Sequence, residues 1–332
     1  MSARSLKEST VLVTGAAGFI GSHLTRALMD LGSDVVALVS DVSALYPPRL
    51  ADLTGKIRLE DADLTDSYAV ARVVKRVKPN YVFHLGAFTH VGRSFDRVSE
   101  CTTTNIEGTR NILEALASHP PTRLVYASTS EVYGDVDVPF RETGPVNPVS
   151  PYGVSKYAAE RLALIYKDAY GIPTVAIRPF NAFGPMQSPD RIIPEIIARA
   201  LRGLPVEITE GVQTREFNFV SDIVAGFIKA AEADDSVLGE VINVGCGQER
   251  SMKDVASTVL ELLGNPVELR VGALPYRPRE IWRMYCDNSK ARELLGWEPQ
   301  ISFEAGLVRT IEWYESESKK PDSPFFPSAL CL

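Results

Sequence analysis

Residues 10–31, TVLVTGAAGFIGSHLTRALMDL, decide the fold of this chain. The β-branched run Thr10–Val13 predicts a strand, and the apolar period of Ile20–Leu31 predicts a helix. Between them the glycines have the spacing GxxGxxG. Glycine suits such a turn because the backbone needs an unusual φ, a phosphate must approach it, and the helix must pack closely on the strand. The stretch predicts the first βα unit of a dinucleotide-binding sheet, and the alternative is a plain strand–turn–helix corner.

The first half of the chain alternates β-branched runs with longer amphipathic segments, which is the pattern of repeated βα units. Two of the runs are nearly all apolar, as expected of strands covered by helices on both faces. The predicted fold class is therefore α/β, a Rossmann-type doubly wound parallel sheet with a smaller C-terminal substrate-binding lobe. The other predicted strands are Val35–Val39, Arg58–Asp61, Tyr81–Leu85, Leu124–Ala127 and Val175–Arg178, and the other predicted helices are Ser67–Val77, Thr102–Ala117, Tyr152–Tyr170, Ile192–Leu201, Met252–Leu263 and Phe303–Tyr314.

A change of pattern after Arg178 marks the expected domain boundary. Segments interrupted by Pro and Gly follow it, as expected of a lobe laid over the carboxyl edge of the sheet. We expect residues 1–178 to form the Rossmann domain, with a return segment near 215–250, and residues 179–316 to form mainly the substrate-binding lobe. Residues 317–332 are rich in proline and have no apolar period, so we expect a tail there.

Composition and charge exclude several kinds of partner. The 332 residues include 35 Lys and Arg against 42 Asp and Glu, spread without a basic block, so nucleic acid is not an expected partner. No apolar stretch approaches the roughly 20 residues that span a bilayer, so no membrane association is expected. The start of the chain lacks an apolar signal core, and the four cysteines are scattered, which together favour the cytoplasm. The histidines and cysteines lack metal-ligand spacing, so no metal site is expected.

Tyr152 and Lys156, in the string SPYGVSK, form the candidate catalytic pair. They are four residues apart on a predicted helix, so both side chains lie on one face and can reach a common ligand. A phenol with a pKa near ~10 is a poor base at neutral pH, and a neighbouring ammonium lowers that pKa. The pair is suited to removing a proton from an alcohol, although YxxxK also arises by chance on amphipathic helices.

The order and spacing of several strings resemble the extended short-chain dehydrogenase/reductase superfamily. The strings are TGAAGFIG, YASTSEVYG, SPYGVSK and RPFNAFGP. The resemblance implies an NAD(P)-dependent enzyme, with an adenine contact in DADL after the third strand and a turn beneath the cofactor in HLGA after the fourth. The residues that it places at the cofactor are Gly15, Gly18, Phe19, Ile20, Gly21, Asp63, Leu64, Leu85, Ala87, Tyr152 and Lys156.

The end of the second predicted strand bears on the choice between NAD and NADP. An acid there accepts a hydrogen bond from the ribose 2′-hydroxyl, whereas an arginine would pair with a 2′-phosphate. The sequence is Val39-Ser40-Asp41, so the acid stands two positions later than is usual. We expect Asp41 to reach the ribose and NAD to be the cofactor. NADP is left open, as is a role for Asp41 as a solvated loop acid.

The string YASTSEVYG bears most directly on the reaction. The resemblance implies that Thr129 completes a triad with Tyr152 and Lys156. Thr-Ser-Glu is similar to GDP-mannose 4,6-dehydratases, whereas the dTDP-glucose enzymes have Asp in the place of Ser130. In such dehydratases a glutamate in the place of Glu131 removes the proton at sugar carbon 5. Thr129, Ser130 and Glu131 are therefore predicted catalytic residues, with a salt-bridge role as the alternative for Glu131.

The predicted reaction is the 4,6-dehydration of a nucleotide-linked sugar. Oxidation at carbon 4 acidifies the proton at carbon 5, a carboxylate removes it, the carbon 6 hydroxyl leaves as water, and the hydride returns to carbon 6. A 4-epimerase or a 4-keto-sugar reductase would not require Glu131. UDP-glucuronate decarboxylases have a similar Thr-Ser-Glu string and a segment similar to Gln213–Val224. These enzymes are alternatives, whereas a non-catalytic dinucleotide sensor is disfavoured because Tyr152 and Lys156 are both present.

The resemblance also implies contacts with a nucleotide-diphosphate sugar. Asn181, Arg215 and Arg277 are expected at the diphosphate, where a guanidinium donates two parallel charge-assisted hydrogen bonds. An interlobe salt bridge is the alternative for Arg277. His90 and Ser94, in THVGRSF, are expected beside the sugar, although a purely structural histidine is at least an equal alternative for His90.

Two further expectations concern the helices around the catalytic pair. Asn105 matches a helix asparagine that supports the helix of the catalytic tyrosine in the superfamily. Family members commonly dimerise through helices at the places of Thr102–Ala117 and Tyr152–Tyr170. A homodimer is therefore the expected assembly.

Overall fold

A computed structural model describes residues 5–40, 48–276 and 279–326. At its centre is a seven-stranded sheet in which every neighbouring pair runs parallel. The chain contributes the strands β1 (Thr10–Thr14), β2 (Asp34–Val39), β3 (Arg58–Asp61), β4 (Tyr81–His84), β5 (Arg123–Ala127), β6 (Thr174–Pro179), β7 (Asn181–Phe183), β8 (Val206–Glu207), β9 (Thr214–Phe219), β10 (Val241–Val244), β11 (Glu249–Ser251) and β12 (Leu269–Arg270). The order in the central sheet is β10-β6-β5-β4-β1-β2-β3.

Helices cover both faces of this sheet, which confirms the predicted doubly wound α/β fold. They are α1 (Phe19–Asp30), α2 (Ser67–Val77), α3 (Val98–Thr102), α4 (Gly108–Ala117), α5 (Pro151–Tyr170), α6 (Ile192–Leu201), α7 (Val220–Glu232), α8 (Met252–Leu262), α9 (Ser289–Leu295) and α10 (Phe303–Ser318). None of the helices in the described ranges combines the length and the hydropathy needed to cross a membrane.

Successive strand residues pack into two separate cores, because side chains alternate between the faces of a sheet. Val11 and Val13 of β1 pack with residues of α1 and α7 on one face. Leu12, between them, packs with residues of α2, α4 and α5 on the other face. All five residues of β5 are buried, as the nearly continuous apolar run of that strand predicts.

The ends of α5 follow from its sequence. The Ser150 hydroxyl accepts a hydrogen bond from the backbone amide of Gly153 at 3.0 Å, which caps the first turn. Pro151 occupies the first helical position, where its missing N–H costs no helical hydrogen bond. Gly171 ends the helix in the left-handed region, with φ 68°. The catalytic candidates Tyr152 and Lys156 therefore lie in the first two turns of a firmly bounded helix.

The strand order reverses at β1, which pairs with β2 on one side and β4 on the other. In parallel α/β sheets, ligands bind at such a reversal, beyond the carboxyl ends of the strands. The chain returns to the sheet late, when Val241–Val244 of β10 pairs with β6. This return lies inside the segment near 215–250 that the sequence assigns to the Rossmann domain.

The lobe over the carboxyl edge is built on a small sheet of order β11-β9-β7. Its core joins aromatic residues of these strands, including Phe183 and Phe217, to α6, α8 and α10. The Phe183 and Phe303 ring centroids are 5.4 Å apart in an edge-to-face contact. Since β7 follows β6 after a single residue, the lobe begins directly at the edge of the central sheet.

The predicted helix Thr102–Ala117 differs from the observed one. The helical segment begins at Val98 and contains a π-helical turn at Thr103–Glu107 before α4. A π turn inserts one extra residue per turn, which a 3.6-residue period does not reveal. It changes which side chains face the sheet, and Asn105 lies within it.

Residues 317–326 do not form the tail expected from their prolines. Helix α10 continues to Ser318, past the predicted end at Tyr314. The Ser323 hydroxyl then donates a hydrogen bond to the Glu317 carboxylate at 2.6 Å, and Phe325 is buried against Trp313. Aromatic burial fixes this segment although it has no regular period.

His84, at the end of β4, joins three elements inside the protein. Its Nδ1 lies 2.7 Å from the Thr14 hydroxyl of β1, and its Nε2 lies 3.0 Å from the Thr109 hydroxyl of α4. Burial, with a contribution from the charge of Lys156, lowers the pKa of His84 from 6.5 to about 3. The imidazole therefore stays neutral in the folded protein over a range in which it would be protonated in the unfolded chain.

This burial predicts a pH dependence of stability. Below pH 6.5 the unfolded state takes up a proton at His84 that the folded state does not, so the free energy of unfolding falls as the pH drops towards 4. Each such histidine contributes about 1.4 kcal/mol per pH unit in that range. In urea unfolding, His84→Gln is expected to be less stable than the wild type at pH 8. Its free energy of unfolding is expected to fall less steeply than that of the wild type as the pH is lowered. His119→Gln, at an exposed position, is the control. If the unfolding free energy of His84→Gln changed with pH as steeply as that of the wild type, His84 would not be the source of the pH dependence.

Candidate active site

Two glycines of the β1–α1 segment, Gly15 and Gly21, have no room for a side chain. Gly15 has φ 67°, and a Cβ atom built on it would lie 2.7 Å from the amide nitrogen of Gly86. A Cβ on Gly21 would lie 2.1 Å from the Gly15 carbonyl oxygen. Gly18 caps α1 without any side-chain hydrogen bond, while Phe19 and Ile20 pack partly buried against the core. The surface at the start of α1 is therefore backbone, as a bound phosphate requires.

The turn after β4 is fixed against this glycine turn. The Thr14 hydroxyl accepts a hydrogen bond from the Gly86 amide at 2.9 Å and also contacts His84. Leu85 and Ala87, on either side of Gly86, are half-buried at the carboxyl edge. The structure thus brings these two predicted cofactor residues next to Gly15.

Asp63 and Leu64 follow β3 and behave differently from each other. Asp63 is exposed, and its Oδ1 accepts hydrogen bonds from the amide and the hydroxyl of Thr65, each at 2.8 Å. Leu64 is buried against Gly86, where a Cβ would lie 2.7 Å from its Cδ1. Both lie at the carboxyl edge, whereas Asp41, the predicted ribose contact, lies outside the described residues.

Helix α5 brings the catalytic pair under the same edge. Tyr152 is 8% exposed and Lys156 is 3% exposed, so both polar groups lie in the interior. The Thr129 side chain lies close enough to the Tyr152 hydroxyl to lower the pKa of that phenol, against the larger effect of burial. The Lys156 ammonium lies 4.5 Å from the centre of the Tyr126 ring, which stabilises its charge through a cation–π contact.

The pKa values of the pair differ from the sequence-based expectation. Burial raises the pKa of Tyr152 to about 12, although the Thr129 side chain acts in the opposite direction. Burial also lowers the pKa of Lys156 to about 7, against the attraction of the Glu160 carboxylate. The expected lowering of the phenol pKa by an ammonium is therefore outweighed. Removal from water disfavours both charged forms, the phenolate of Tyr152 and the ammonium of Lys156.

A polar network supports the first turns of α5. Asn105, in the π turn, accepts a hydrogen bond from the Phe88 amide at 2.7 Å and donates to the Ser155 hydroxyl at 2.9 Å. Ser155 in turn donates to the Tyr152 carbonyl at 2.8 Å. Asn105 thus lies where the sequence suggested, but Ser155 was missed. A buried serine between two catalytic positions has no periodic signal, because its role depends on which helix packs against it.

The segment after β5 packs against the start of α5. Thr129 caps a short 3-10 turn, its hydroxyl accepting from the Glu131 amide at 3.3 Å. A Cβ on Gly153 would lie 2.7 Å from the Glu131 carbonyl oxygen, so the two backbones are in close contact. The negative charge of Glu131 is also one of the influences that raise the pKa of Tyr152. Thr129 and Glu131 thus lie on one short segment against the Tyr152 end of α5.

Ser130 points to a different side of the site. Its hydroxyl contacts the sulfur of Met284 at 3.5 Å, and the Asn181 amide nitrogen lies 3.9 Å from the same sulfur. Asn181 also donates to the Glu216 carbonyl at 3.2 Å. The predicted residues Ser130 and Asn181 are thus joined through Met284, which the sequence did not indicate because an isolated methionine has no motif.

The remaining predicted substrate residues lie outside the Thr129–Glu131 segment. The Ser94 hydroxyl accepts from the Tyr152 amide at 3.3 Å and is fully buried, so it supports the tyrosine directly. His90 is half-buried, with its Nε2 3.5 Å from the Asp190 carboxylate. Arg215 forms an ion pair with Glu280 and donates to the Ile281 carbonyl at 2.7 Å.

Two findings complete the description of the site. Arg277 lies outside the described residues. Among the residues that the structure does describe, no cluster of three or more His, Cys, Asp or Glu side chains could hold a metal ion. The glycine turn at the end of β1 and a buried Tyr/Lys helix beside it are the arrangement of the extended short-chain dehydrogenases/reductases.

Comparison with known proteins narrows this class. Residues 12–310 match the family described as GDP-mannose 4,6 dehydratase, and the chain belongs to that family. A dTDP-glucose 4,6-dehydratase of Neisseria meningitidis serogroup B is 34% identical over 92% of each chain. Among solved structures, UDP-glucose 4-epimerase of Thermotoga maritima with UDP-glucose has a TM-score of 0.86 at 30% identity, covering 92% of this chain and 99% of its own. A double mutant of the Streptomyces venezuelae dTDP-glucose 4,6-dehydratase with NAD bound has a TM-score of 0.83 at 32% identity, covering 93% and 97%.

The glycine turn predicts a difference between two alanine substitutions. Gly15 and Gly55 both have a positive φ, 67° and 76°, so alanine is strained at either position, by about 1 kcal/mol. Only at Gly15 would the new Cβ also meet backbone atoms within 3 Å, which adds roughly 1–3 kcal/mol of overpacking. Gly15→Ala is therefore expected to lose more unfolding free energy than Gly55→Ala in urea titrations. Equal losses of unfolding free energy in the two variants would mean that the turn around Gly86 moves away from the new Cβ at no cost.

Proposed function

We propose that this protein is an NAD-dependent nucleotide-sugar 4,6-dehydratase. The observation that carries the proposal is the placement of Thr129 and Glu131 on one short segment against the Tyr152 end of α5. In this arrangement the Glu131 backbone contacts the first turn of α5, and both the Glu131 charge and the Thr129 side chain influence the pKa of the Tyr152 phenol. Family membership and the dTDP-glucose 4,6-dehydratase relatives support the same reaction.

The residues of the β1–α1 turn fit a dinucleotide. Gly15, Gly18 and Gly21 leave a backbone surface that any side chain would fill, and the α1 amides beyond it favour a pyrophosphate. We propose that Phe19, Ile20, Leu85 and Ala87 line this surface, that Asp63 and Leu64 contact the adenine, and that Asp41 accepts from the ribose. The acid at position 41 and the NAD-bound relative favour NAD over NADP.

We propose that the pair on α5 handles the proton of the sugar alcohol. When bound at the glycine turn, NAD would supply the hydride chemistry, with the hydride leaving carbon 4 and returning at carbon 6. Tyr152 removes the proton of the carbon 4 hydroxyl, helped by Thr129 at its hydroxyl and by Lys156 one turn along the helix. Because the pKa of Lys156 is about 7 in the described structure, its ammonium form is readily reached near neutral pH. That ammonium favours the phenolate when it forms.

We propose that Glu131 carries out the elimination that follows. Oxidation at carbon 4 makes the carbon 5 proton acidic, and the Glu131 carboxylate removes it. The electron pair of the broken C5–H bond forms a double bond to carbon 6, and the C6–O bond breaks as the leaving hydroxyl takes up the proton that Glu131 removed, which releases water. When the hydride adds to carbon 6, the electron pair of the double bond returns to carbon 5, which takes up a proton equivalent to the one that Tyr152 removed. Ser130, held on Met284 on the side of Asn181, faces the sugar rather than the phenol. The net change is the loss of one water and the movement of a hydride from carbon 4 to carbon 6.

The lobe supplies the proposed contacts for the nucleotide diphosphate. Asn181 and Arg215 lie on adjacent strands of the small sheet, and Arg277 follows in the segment that leads to Glu280. Arg215 is paired with Glu280, so a diphosphate would have to compete with this carboxylate for the guanidinium. His90 would contact the sugar, whereas Ser94, whose buried hydroxyl accepts from the Tyr152 amide, would act by supporting the tyrosine.

We also propose the organisation of the whole molecule. Residues 1–178 with the return segment would bind the cofactor, and residues 179–316 mainly the substrate. Val98 of α3, with Val154 and Ile165 of α5, is about half exposed, and these apolar side chains support a homodimer formed through the two helical segments. The described cysteines are free thiols, as suits a protein of the cytoplasm.

The reaction is tested by product analysis. Incubation with a panel of dTDP-, UDP- and GDP-hexoses is expected to yield a 4-keto product lighter by one water, detected by mass spectrometry and by its reaction with a carbonyl reagent. An unchanged mass with inverted stereochemistry would instead identify an epimerase, and loss of carbon dioxide from a UDP-glucuronate substrate a decarboxylase. Turnover that requires added NAD(P)H would identify a keto-sugar reductase.

Two variants separate the two proposed catalytic roles. Tyr152→Phe is expected to lose oxidation of the sugar, so no reduced nicotinamide absorbance appears on adding substrate. Glu131→Gln is expected to oxidise carbon 4 but to release water about 10²–10⁴-fold more slowly, because it lacks the general base. Reduced nicotinamide should therefore persist in Glu131→Gln. Wild-type water release in that variant would contradict the role of Glu131.

A further inference from the structure

A buried acceptor lies one helical turn beyond the catalytic lysine. Glu160 of α5 has no exposed surface. Its carboxylate accepts three hydrogen bonds, one from the Ser128 hydroxyl at 2.6 Å and two from the Arg178 guanidinium at 2.9 and 2.6 Å. Transferring a charged group from water into the protein interior costs free energy, which its partners must offset. Charge-assisted hydrogen bonds between a guanidinium and a carboxylate form only within a narrow range of distances and angles. The three residues are therefore held at fixed separations.

The donors to Glu160 belong to the two strands that carry the site. Ser128 directly follows β5 and directly precedes Thr129, and its amide donates to the Ile177 carbonyl of β6 at 2.7 Å. Arg178 follows on β6, with its guanidinium carbon 4.7 Å from the centre of the Tyr133 ring. The Glu160 carboxylate thus connects α5 to Ser128, the residue immediately before the Thr129–Glu131 segment.

A second contact lies parallel to this one. Tyr126, two residues before Ser128 on the strand, packs under Lys156, four residues before Glu160 on the helix. Two residues along a strand advance about 6.6 Å, and four residues along a helix advance about 6 Å. The spacing between Tyr126 and Ser128 therefore matches the spacing between Lys156 and Glu160. Tyr126 under Lys156 and Ser128 under Glu160 therefore set the register of α5 along β5.

We propose that Glu160 is a positioning residue which, through Ser128 and Arg178, holds the segment carrying Thr129 and Glu131 in register with Tyr152 and Lys156. The proposal rests on the proposed function, because it concerns how the two parts of the proposed site meet. A slip of this register would move Thr129 away from the Tyr152 hydroxyl and Glu131 away from carbon 5. Misplacement of reacting groups by about 1 Å can slow a reaction by as much as 10²-fold.

Ser128→Ala is the most informative variant. It removes one hydrogen bond and leaves the Glu160–Arg178 ion pair, whereas Glu160→Ala would leave a buried guanidinium without its partner and destabilise the fold. Ser323→Ala is the matched control. It removes another buried hydroxyl that donates to a carboxylate at 2.6 Å, that of Glu317, in a part of the chain outside the site.

The readout is a single turnover of the NAD-loaded enzyme, followed by the absorbance of reduced nicotinamide. In Ser128→Ala we expect its decay, which reports water loss and hydride return, to slow by about tenfold to 10²-fold, with KM within about twofold of the wild type. Glu160→Gln, which keeps the shape but loses the charge, is expected to slow the decay further. Ser323→Ala is expected to match the wild type. Wild-type decay in Ser128→Ala, or equal slowing in the control, would overturn the proposal.

A structural readout separates this proposal from the proposed function. If the wild type yields an epimer, the proposed dehydratase function is wrong. The positioning of Thr129 is tested independently, by comparing crystal structures of Ser128→Ala and of the wild type. The proposal expects the distance between the Thr129 and Tyr152 hydroxyl oxygens to be longer in Ser128→Ala than in the wild type. An unchanged distance would refute the positioning role whatever reaction the enzyme catalyses.

Discussion

The parallel pairing of β4, β5 and β6 beside β1 is the constraint on which the rest of the structure depends. In a parallel sheet every strand ends at the same edge, so the residues that follow neighbouring strands must meet there. Gly15 after β1, Gly86 after β4 and Ser128 after β5 are far apart in sequence but share this edge. The close backbone contact between Gly15 and Gly86 leaves an edge of amides rather than side chains.

Burial of charge is the second organising feature. Lys156, Glu160 and Arg178 are each at most 3% exposed, although a single buried charge is strongly unfavourable. The fold offsets this by pairing: the carboxylate has a guanidinium and a hydroxyl, and the ammonium has an aromatic face. These charged groups are thereby kept away from water at positions that α5 and the neighbouring strands fix together.

Polar contacts inside the lobe hold its parts together alongside the aromatic core. Glu216 of β9 is fully buried and accepts from the Cys286 amide at 2.9 Å and the Asn218 amide at 3.2 Å. Arg215, next to it, pairs with Glu280. These contacts anchor the segment that carries Met284, which in turn contacts Ser130 and Asn181. The proposed substrate side of the site thus depends on residues more than 60 positions apart.

Local periodicity and backbone geometry at glycine were enough to predict the βα order, most strand and helix bounds, the glycine turn and the shared helix face of Tyr152 and Lys156. The sequence alone did not determine the π turn at Asn105 or the packing of Phe325, which has no period to reveal it. Nor did it determine the roles of Ser128, Ser155 and Met284, or the raised pKa of Tyr152. Those properties depend on which groups are buried next to one another. Groups far apart in the sequence become neighbours only when the chain folds, so local sequence patterns do not reveal these contacts.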